Sequence, residues 1–241
     1  MHAAGRCHHP RRVIALLHLL SNIRLNRGYD RPMTRAIQGS LFDVGQEFGL
    51  GPLAASVRRT TLADGAWLDL APGWLRAADD LFERLVRNVP WRAERRRMYD
   101  NVVDVPRLLC HYGEDEQLPD PALAEARRAL DEYYGPRIGE SLCTVGLCLY
   151  RDGRDSVAWH GDTSGRQVRE TIVAIVSLGN PRHLMLRHRR GSGQPLRFPV
   201  GHGDLLVMGG TCQRTWEHAV LKTSKATGPR ISVQFRPSGV R

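Results

Sequence analysis

The sequence predicts an α+β fold in which helices buttress a β-sandwich or jelly roll. Two helix-patterned segments lie in the first half of the 241-residue chain, and only short, β-rich segments follow Gly139. The first helix, PGWLRAADDLFERLVRN, is expected from about Pro72 to Asn88. Trp74, Leu75, Ala78, Leu81, Phe82 and Leu85 recur there at helical spacing, and Pro72 suits a helix start. The second is expected from Asp120 to Tyr134, with Asp120 as N-cap, Pro121 in the first turn and Gly135 as the stop.

The strands follow in order as SLCTVGLCLY, RETIVAIVSLG, RHLMLRHR, GDLLVMGG, TWEHAV and PRISVQFR, separated by Gly, Pro, Asn or Asp turns. In the last of these, Ile231, Val233 and Phe235 share one face while Arg230, Ser232, Gln234 and Arg236 share the other. If that polar face is enclosed, its two guanidinium groups require an anion, because unpaired buried cations are very costly. If the strand is an edge, the same face is simply wet.

No apolar run approaches the roughly 20 residues that span a bilayer. Five cysteines (Cys7, Cys110, Cys143, Cys148, Cys212), odd in number and without a CxxC pair, disfavour a disulfide framework or a zinc knuckle and fit a reducing, cytoplasmic setting. The formal net charge is +10. Six arginines against Asp30 give residues 1 to 32 a net +5, so the remainder carries the other +5. Of 35 basic residues only Lys222 and Lys225 are lysine, and arginine forks match phosphate oxygens. Residues 1–40 lack sustained periodicity and read as a disordered basic tail, with Met33 as an alternative start.

The segment VAWHGDTSG places His160 and Asp162 one residue apart at the end of an apolar stretch. Taken alone, the pair is either the start of a metal site or an ordinary polar cluster. His218, in TWEHAV with Trp216 on the same face, is likewise either a hydrogen-bonded core residue or a ligand. Chain order joins them: His-x-Asp, then strands, then one His, then an arginine strand. Two histidines and one carboxylate on one face of a metal leave open positions for a 2-oxo acid and oxygen, the arrangement suited to Fe(II). Structural zinc is disfavoured because a closed four-ligand shell is absent.

The series YRDGRDSVAWHGD, IVSLG, GHGDLLVMGG, TWEHAV and PRISVQFR closely resembles the AlkB family of Fe(II)- and 2-oxoglutarate-dependent dioxygenases, over roughly Val105 to Pro237. The resemblance implies a double-stranded β-helix (jelly roll) core over 141–241, with helices and a nucleotide-recognition lid over 66–140, in a single domain over 41–241. It implies His160, Asp162 and His218 as iron ligands. It implies Arg230 and Arg236 as carboxylate-binding arginines for 2-oxoglutarate, Tyr150 as a hydrogen-bond donor to it, and O2 as the oxidant.

Three departures accompany the likeness. Cys148 and Ser232 stand where the family often has asparagine, each removing a cosubstrate hydrogen bond of about 1 kcal/mol. Thr163 and Ser164 stand where DNA-repair members carry acidic residues that read the alkylated base. Met98 and Tyr99, after ERRR, are either an apolar wedge for duplex nucleic acid or half-buried strand residues, and Tyr112 is either a stacking residue or core. Arg95, Arg96, Arg97, Arg187, Arg189 and Arg190 are candidates for phosphate contact. The expected function is oxidative dealkylation of nucleobases in DNA or RNA by a monomer. Two rivals stand beside it: the same chemistry on protein or lipid, and a jelly-roll binding module without catalysis.

Overall fold

A computed structural model describes residues 48–98, 101–162 and 168–240. The basic tail, Met33, Cys7, Tyr99, Thr163 and Ser164 lie outside the described residues, as do the side chains of Arg96, Arg97 and Met98.

Strands β1 (Gly49–Leu50), β2 (Arg58–Thr61), β3 (Ala66–Ala71) and β4 (Leu75–Arg76) flank the one-turn helix α1 (Leu53–Ser56). Helix α2 (Ala78–Asn88) is followed by β5 (Arg92–Met98), β6 (Asn101–Tyr112) and helix α3 (Pro121–Ile138). The rest is β7 (Thr144–Tyr150), β8 (Val157–His160), β9 (Val173–Gly179), β10 (Arg182–His188), β11 (Leu196–Val200), β12 (Leu205–Gly210), one-turn α4 (Cys212–Thr215), β13 (Trp216–Val220) and β14 (Arg230–Arg236). Among the described residues no helix is long and apolar enough to cross a membrane.

Two antiparallel sheets build the core, as the β-rich second half predicts. The larger runs β2-β3-β12-β9-β14-β7-β6-β5 and the smaller β11-β10-β13-β8. Their inner faces meet in one apolar cluster: Cys148, Tyr150, Ile175, Leu206 and Met208 from the large sheet, and Leu184, Leu186, Val200, Trp216 and Val220 from the small. The alternation of PRISVQFR is realised in full. Ile231, Val233 and Phe235 are completely buried on the outer face, leaving Arg230, Ser232, Gln234 and Arg236 on the inner.

The helices cover the outer face of the large sheet. Phe82 of α2 packs so closely on β9 that a Cβ at Gly179 would lie 2.9 Å from its ring. Tyr134 of α3 stacks on Trp67 and donates to buried Asp69 at 3.0 Å, which Arg59 grips from the other side at 2.7 Å. Asp120 accepts from the Ala122 amide as the expected N-cap of α3 and also pairs with Arg84 of α2 at 2.6 Å.

Both helix boundaries differ from expectation. α2 begins at Ala78, not Pro72, because tertiary partners claim the backbone of residues 73–75. Gly51 N–H donates to Trp74 O, Leu75 N–H to Gly203 O, and Gly73 N–H to Asp204 Oδ1. At its other end, α3 passes through Gly135 and Pro136 and stops at Gly139, where φ of +69° is the left-handed conformation glycine adopts freely. The region expected as helices and lid also contains strands. β5 and β6 form an antiparallel hairpin that extends the large sheet, with Met98 paired to Asn101 at its tip.

Candidate active site

His160 ends β8, directly opposite His218 on β13, so sheet register alone brings the two imidazoles together. Their ring centres are 4.2 Å apart, His160 Nε2 is 3.5 Å from Asp162 Oδ1, and one ligating atom from each of the three residues falls within 4.8 Å of the others. His160 Nδ1 lies 2.8 Å from the Ala158 carbonyl. A carbonyl only accepts, so Nδ1 carries the proton and the Nε2 lone pair is free to ligate.

The turn between the first two ligands admits only glycine. A Cβ on Gly161 would lie 2.4 Å from the Gln213 carbonyl and 2.7 Å from Arg189 Nη2. Gln213, buried in α4, accepts the Asp162 backbone N–H with its own side-chain Oε1 at 2.9 Å.

Burial alone would raise the Asp162 carboxyl, but Arg236, whose Nε donates to Oδ2 at 2.8 Å, prevails together with His218 and His160 and draws it down to about 2. Burial, and then His160, push His218 down to about 3. The set at neutral pH is therefore an anionic carboxylate with a neutral His218, in the states that ligate a cation. Two imidazoles and one carboxylate, with His160 38% exposed on the outer side, form a facial triad with room for further ligands and fit Fe(II).

The inner face of the large sheet continues from this triad. Arg230 is 3% exposed, donates Nε–H to Ser177 Oγ at 2.9 Å, and lies with its guanidinium carbon 5.3 Å from the Tyr150 ring centre. Its Nη1 is buried without a partner. Burial, then Cys148, push the Tyr150 hydroxyl up to about 12, against Arg230, Arg107 and Arg182, so the phenol keeps its proton to donate.

Ser232 sits between Cys148 and Ser177 on the flanking strands. Gln234 ties Cys148 and Ser232, the two departures from the family's asparagines, to Arg236. Its amide donates to Ser232 Oγ at 3.4 Å and Cys148 Sγ at 3.6 Å, while its oxygen accepts from Arg236.

The structure thus places Tyr150, Arg230, Ser232 and Arg236 on the inner face of the large sheet, with Arg236 in contact with Asp162 of the His160, Asp162 and His218 cluster. It does not bring Tyr112 there. Tyr112 pairs with Val145 and shares the outer face of β6 with Leu108 and Cys110, and burial with a Cys110 contact raises its hydroxyl pKa. Tyr112 belongs to the helix side, and His111 takes the inward position by alternation.

Three phosphate-contact candidates are already engaged. Arg187 forks onto Glu217 at 2.7 Å and lies 4.5 Å over Trp159, Arg189 reaches Glu217 at 3.3 Å, and Arg95 pairs with Asp104 at 3.1 Å. Arg190 is exposed. Gln213 and Ser177 join the site without having been singled out in the sequence, and Gln234, read there only as part of the polar face of β14, joins it too. Strand alternation marks Ser177 in IVSLG and Gln234 in PRISVQFR, whereas Gln213 carries no local signal.

Comparison with known proteins agrees with this geometry. Residues 116–236 match the family model of the 2OG-Fe(II) oxygenase superfamily. Alpha-ketoglutarate-dependent dioxygenase alkB homolog 3 of Bos taurus is 33% identical over 188 residues, covering 69% of this chain and 64% of the relative. The chain therefore spans a little under two thirds of that relative's length. DNA oxidative demethylase ALKBH2 of Homo sapiens is 26% identical, covering 66% of this chain and 68% of the relative. The structure of OsALKBH1 superposes with a TM-score of 0.53 at 13% identity, over 75% of this chain and all of that one, a likeness of fold.

Proposed function

The chain belongs to the 2OG-Fe(II) oxygenase superfamily, within its AlkB branch, and on that footing we propose that it oxidatively removes alkyl groups from nucleobases. One observation carries the reading. Along a single face of β14, Arg236 holds the candidate ligand Asp162 at one end and Arg230 keeps a buried, open N–H at the other. A 2-oxo dicarboxylate would meet the open N–H of Arg230 with its distal carboxylate.

Iron with a 2-oxo acid and oxygen supplies the oxidising power to hydroxylate an unactivated C–H bond. The residues do the holding. Arg230 binds the distal carboxylate and Tyr150 donates to the cosubstrate. Ala158 O fixes the His160 tautomer, Gln213 orients Asp162, and Arg236 keeps Asp162 anionic. 2-Oxoglutarate would lose its C1 carboxylate as CO2 and take one atom of O2 to become succinate, and the other atom would end in the hydroxylated alkyl group. For an N-methyl base, the nitrogen–carbon bond then breaks, the hydroxyl proton passes to the base nitrogen, and formaldehyde leaves.

The nucleic-acid substrate is supported by the named activity of the ALKBH2 relative and by the β5–β6 hairpin, which we assign as the recognition lid. Exposed Arg92 on β5 suits a phosphate backbone, with binding that weakens as salt rises. A reducing cytoplasm suits the free thiol of Cys148 in the pocket.

The test is a panel of N-methylated and etheno-adducted oligonucleotides, single- and double-stranded, with Fe(II) and 2-oxoglutarate. Formaldehyde or glyoxal release matched by succinate supports the reading. Succinate formation that no oligonucleotide stimulates would sink the nucleobase assignment while leaving the oxygenase intact.

A further inference from the structure

Two guanidinium groups lie against the Tyr150 ring, Arg230 at 5.3 Å and Arg182 at 5.8 Å, and Arg107 acts on the same phenol electrostatically. Arg182 is structural, since it donates to the carbonyls of Asp152, Asp155 and Leu221 and has its hydrogen-bonding capacity taken up by backbone. The other two differ. Arg230 Nη1 and Arg107 Nε are both buried without a partner, two of only five such side-chain atoms among the described residues. Neither arginine has a carboxylate partner among the described residues.

Register places Arg107 on the inner face of the large sheet. Leu109 on β6 lies opposite Cys148 and Leu108 opposite Leu149, so Arg107 falls next across from Tyr150, which itself lies opposite Arg230. Leu109, two residues on from Arg107, packs against the inner cluster that contains Cys148 and Tyr150. Side chains two apart on a strand share a face, so Arg107 points inward as well. Its Nη1 donates to the Ser156 carbonyl at 3.0 Å, while Nε stays buried without an acceptor.

We infer that Arg107 is a third cosubstrate-binding arginine, which closes on the distal carboxylate of the 2-oxo dicarboxylate from the side opposite Arg230. The assignment rests on the 2-oxoglutarate reading of the pocket. Arg230 is a buried cation with an open donor, which is expensive, and half-buried Arg107 adds a second buried N–H without an acceptor. A carboxylate offers about four lone-pair sites, enough for Tyr150 and both arginines together. The arrangement also predicts selectivity. A 2-oxo monocarboxylate of similar length cannot satisfy either orphaned donor and leaves both buried.

Anaerobic titrations of the full chain with Fe(II) separate this role from that of a strut between β6 and Ser156. The ligands are 2-oxoglutarate and 2-oxopentanoate, which lacks the distal carboxylate, and binding is read by calorimetry. Arg107→Met should weaken 2-oxoglutarate about tenfold, the scale of one charge-assisted hydrogen bond, and leave 2-oxopentanoate unchanged. Arg107→Lys, which retains the charge, should recover part of the loss and guards against a fold defect in the first variant. Equal weakening of both ligands, or of neither, overturns the inference. A wild-type chain that binds the two ligands equally would overturn the 2-oxoglutarate reading itself, and this assignment with it.

Discussion

Arg236 donates its Nε–H to Asp162 Oδ2 across 2.8 Å, although the two residues are 74 positions apart. The contact joins the last strand of the large sheet to the turn that follows β8 of the small one. Arg236 is only 12% exposed and Asp162 3%, so solvent screens the pair little. The arginine that the family resemblance reserves for the cosubstrate is therefore committed here to a candidate metal ligand. Arg230, at the other end of β14, turns instead to Ser177 and the Tyr150 ring.

This separation predicts different phenotypes for the two arginines. Arg236→Met should weaken Fe(II) binding as well as turnover, because Asp162 loses the partner that holds it anionic and oriented. Arg230→Met should leave Fe(II) affinity unchanged and raise the 2-oxoglutarate requirement at least tenfold, a loss of about 1.5–3 kcal/mol. Competition with a metal-binding dye, alongside succinate assays, reads the two effects separately. Identical Fe(II) affinity in both variants would show that the Asp162 contact does not matter.

Gln213 should prove as necessary as its hydrogen bond implies. Gln213→Met keeps the volume but removes the acceptor of the Asp162 N–H, and leaving a buried donor unpaired costs about 1–3 kcal/mol. Fe(II) affinity should fall and the melting temperature should drop. Gly161→Ala, with a Cβ 2.4 Å from the Gln213 carbonyl, should do the same from the other side of the contact. Full retention of Fe(II) affinity in both would mean that the triad is held by other groups.

The metal-free protein should lose stability on acidification through a window set by His218. Its folded pKa of about 3 lies below the ordinary histidine value of about 6.5, so between those limits the unfolded chain binds the extra proton. Stability therefore rises with pH across that window, with His218 contributing a slope of up to about 1.4 kcal/mol per pH unit. Asp162, drawn down to about 2, acts in the same direction only below about pH 4. Melting curves in chelator from pH 7 to pH 4.5 should show the loss, and His218→Gln should flatten it. A slope unchanged in that variant would place the titrating group elsewhere.

How much of this was legible in the sequence depended on whether local pattern or tertiary partners decided each feature. The two faces of PRISVQFR follow from alternation alone, and the structure realises them residue by residue. Chain order and the resemblance pair His160 with His218, but no local pattern does, because their proximity comes from the register of β8 with β13. The start of α2 was misplaced because Gly51, Gly203 and Asp204, all remote in sequence, bind the backbone that helical spacing seemed to claim. Tyr112, left open as a stacking residue or core, falls on the outer face. Counting from Leu108 would have placed it outward and His111 inward. Gln213 was invisible, since nothing in a one-turn helix announces a partner 51 residues earlier.

Gln234 offers the last test, on the consequences of having Cys148 and Ser232 where asparagine is common. Its side chain spans the gap they leave, donating to both while accepting from Arg236. Gln234→Leu removes all three contacts at nearly constant volume and frees the Arg236 guanidinium to shift away from Asp162. The expected result is weaker 2-oxoglutarate binding by several-fold, as for one or two neutral hydrogen bonds of about 1 kcal/mol each, with a smaller loss of Fe(II) affinity. Cys148→Ser should be nearly silent, because a hydroxyl accepts from the same amide at least as well as a thiol. Ser232→Ala should lie between them. If Gln234→Leu binds 2-oxoglutarate normally, the bridge is incidental and the two small residues have gone uncompensated.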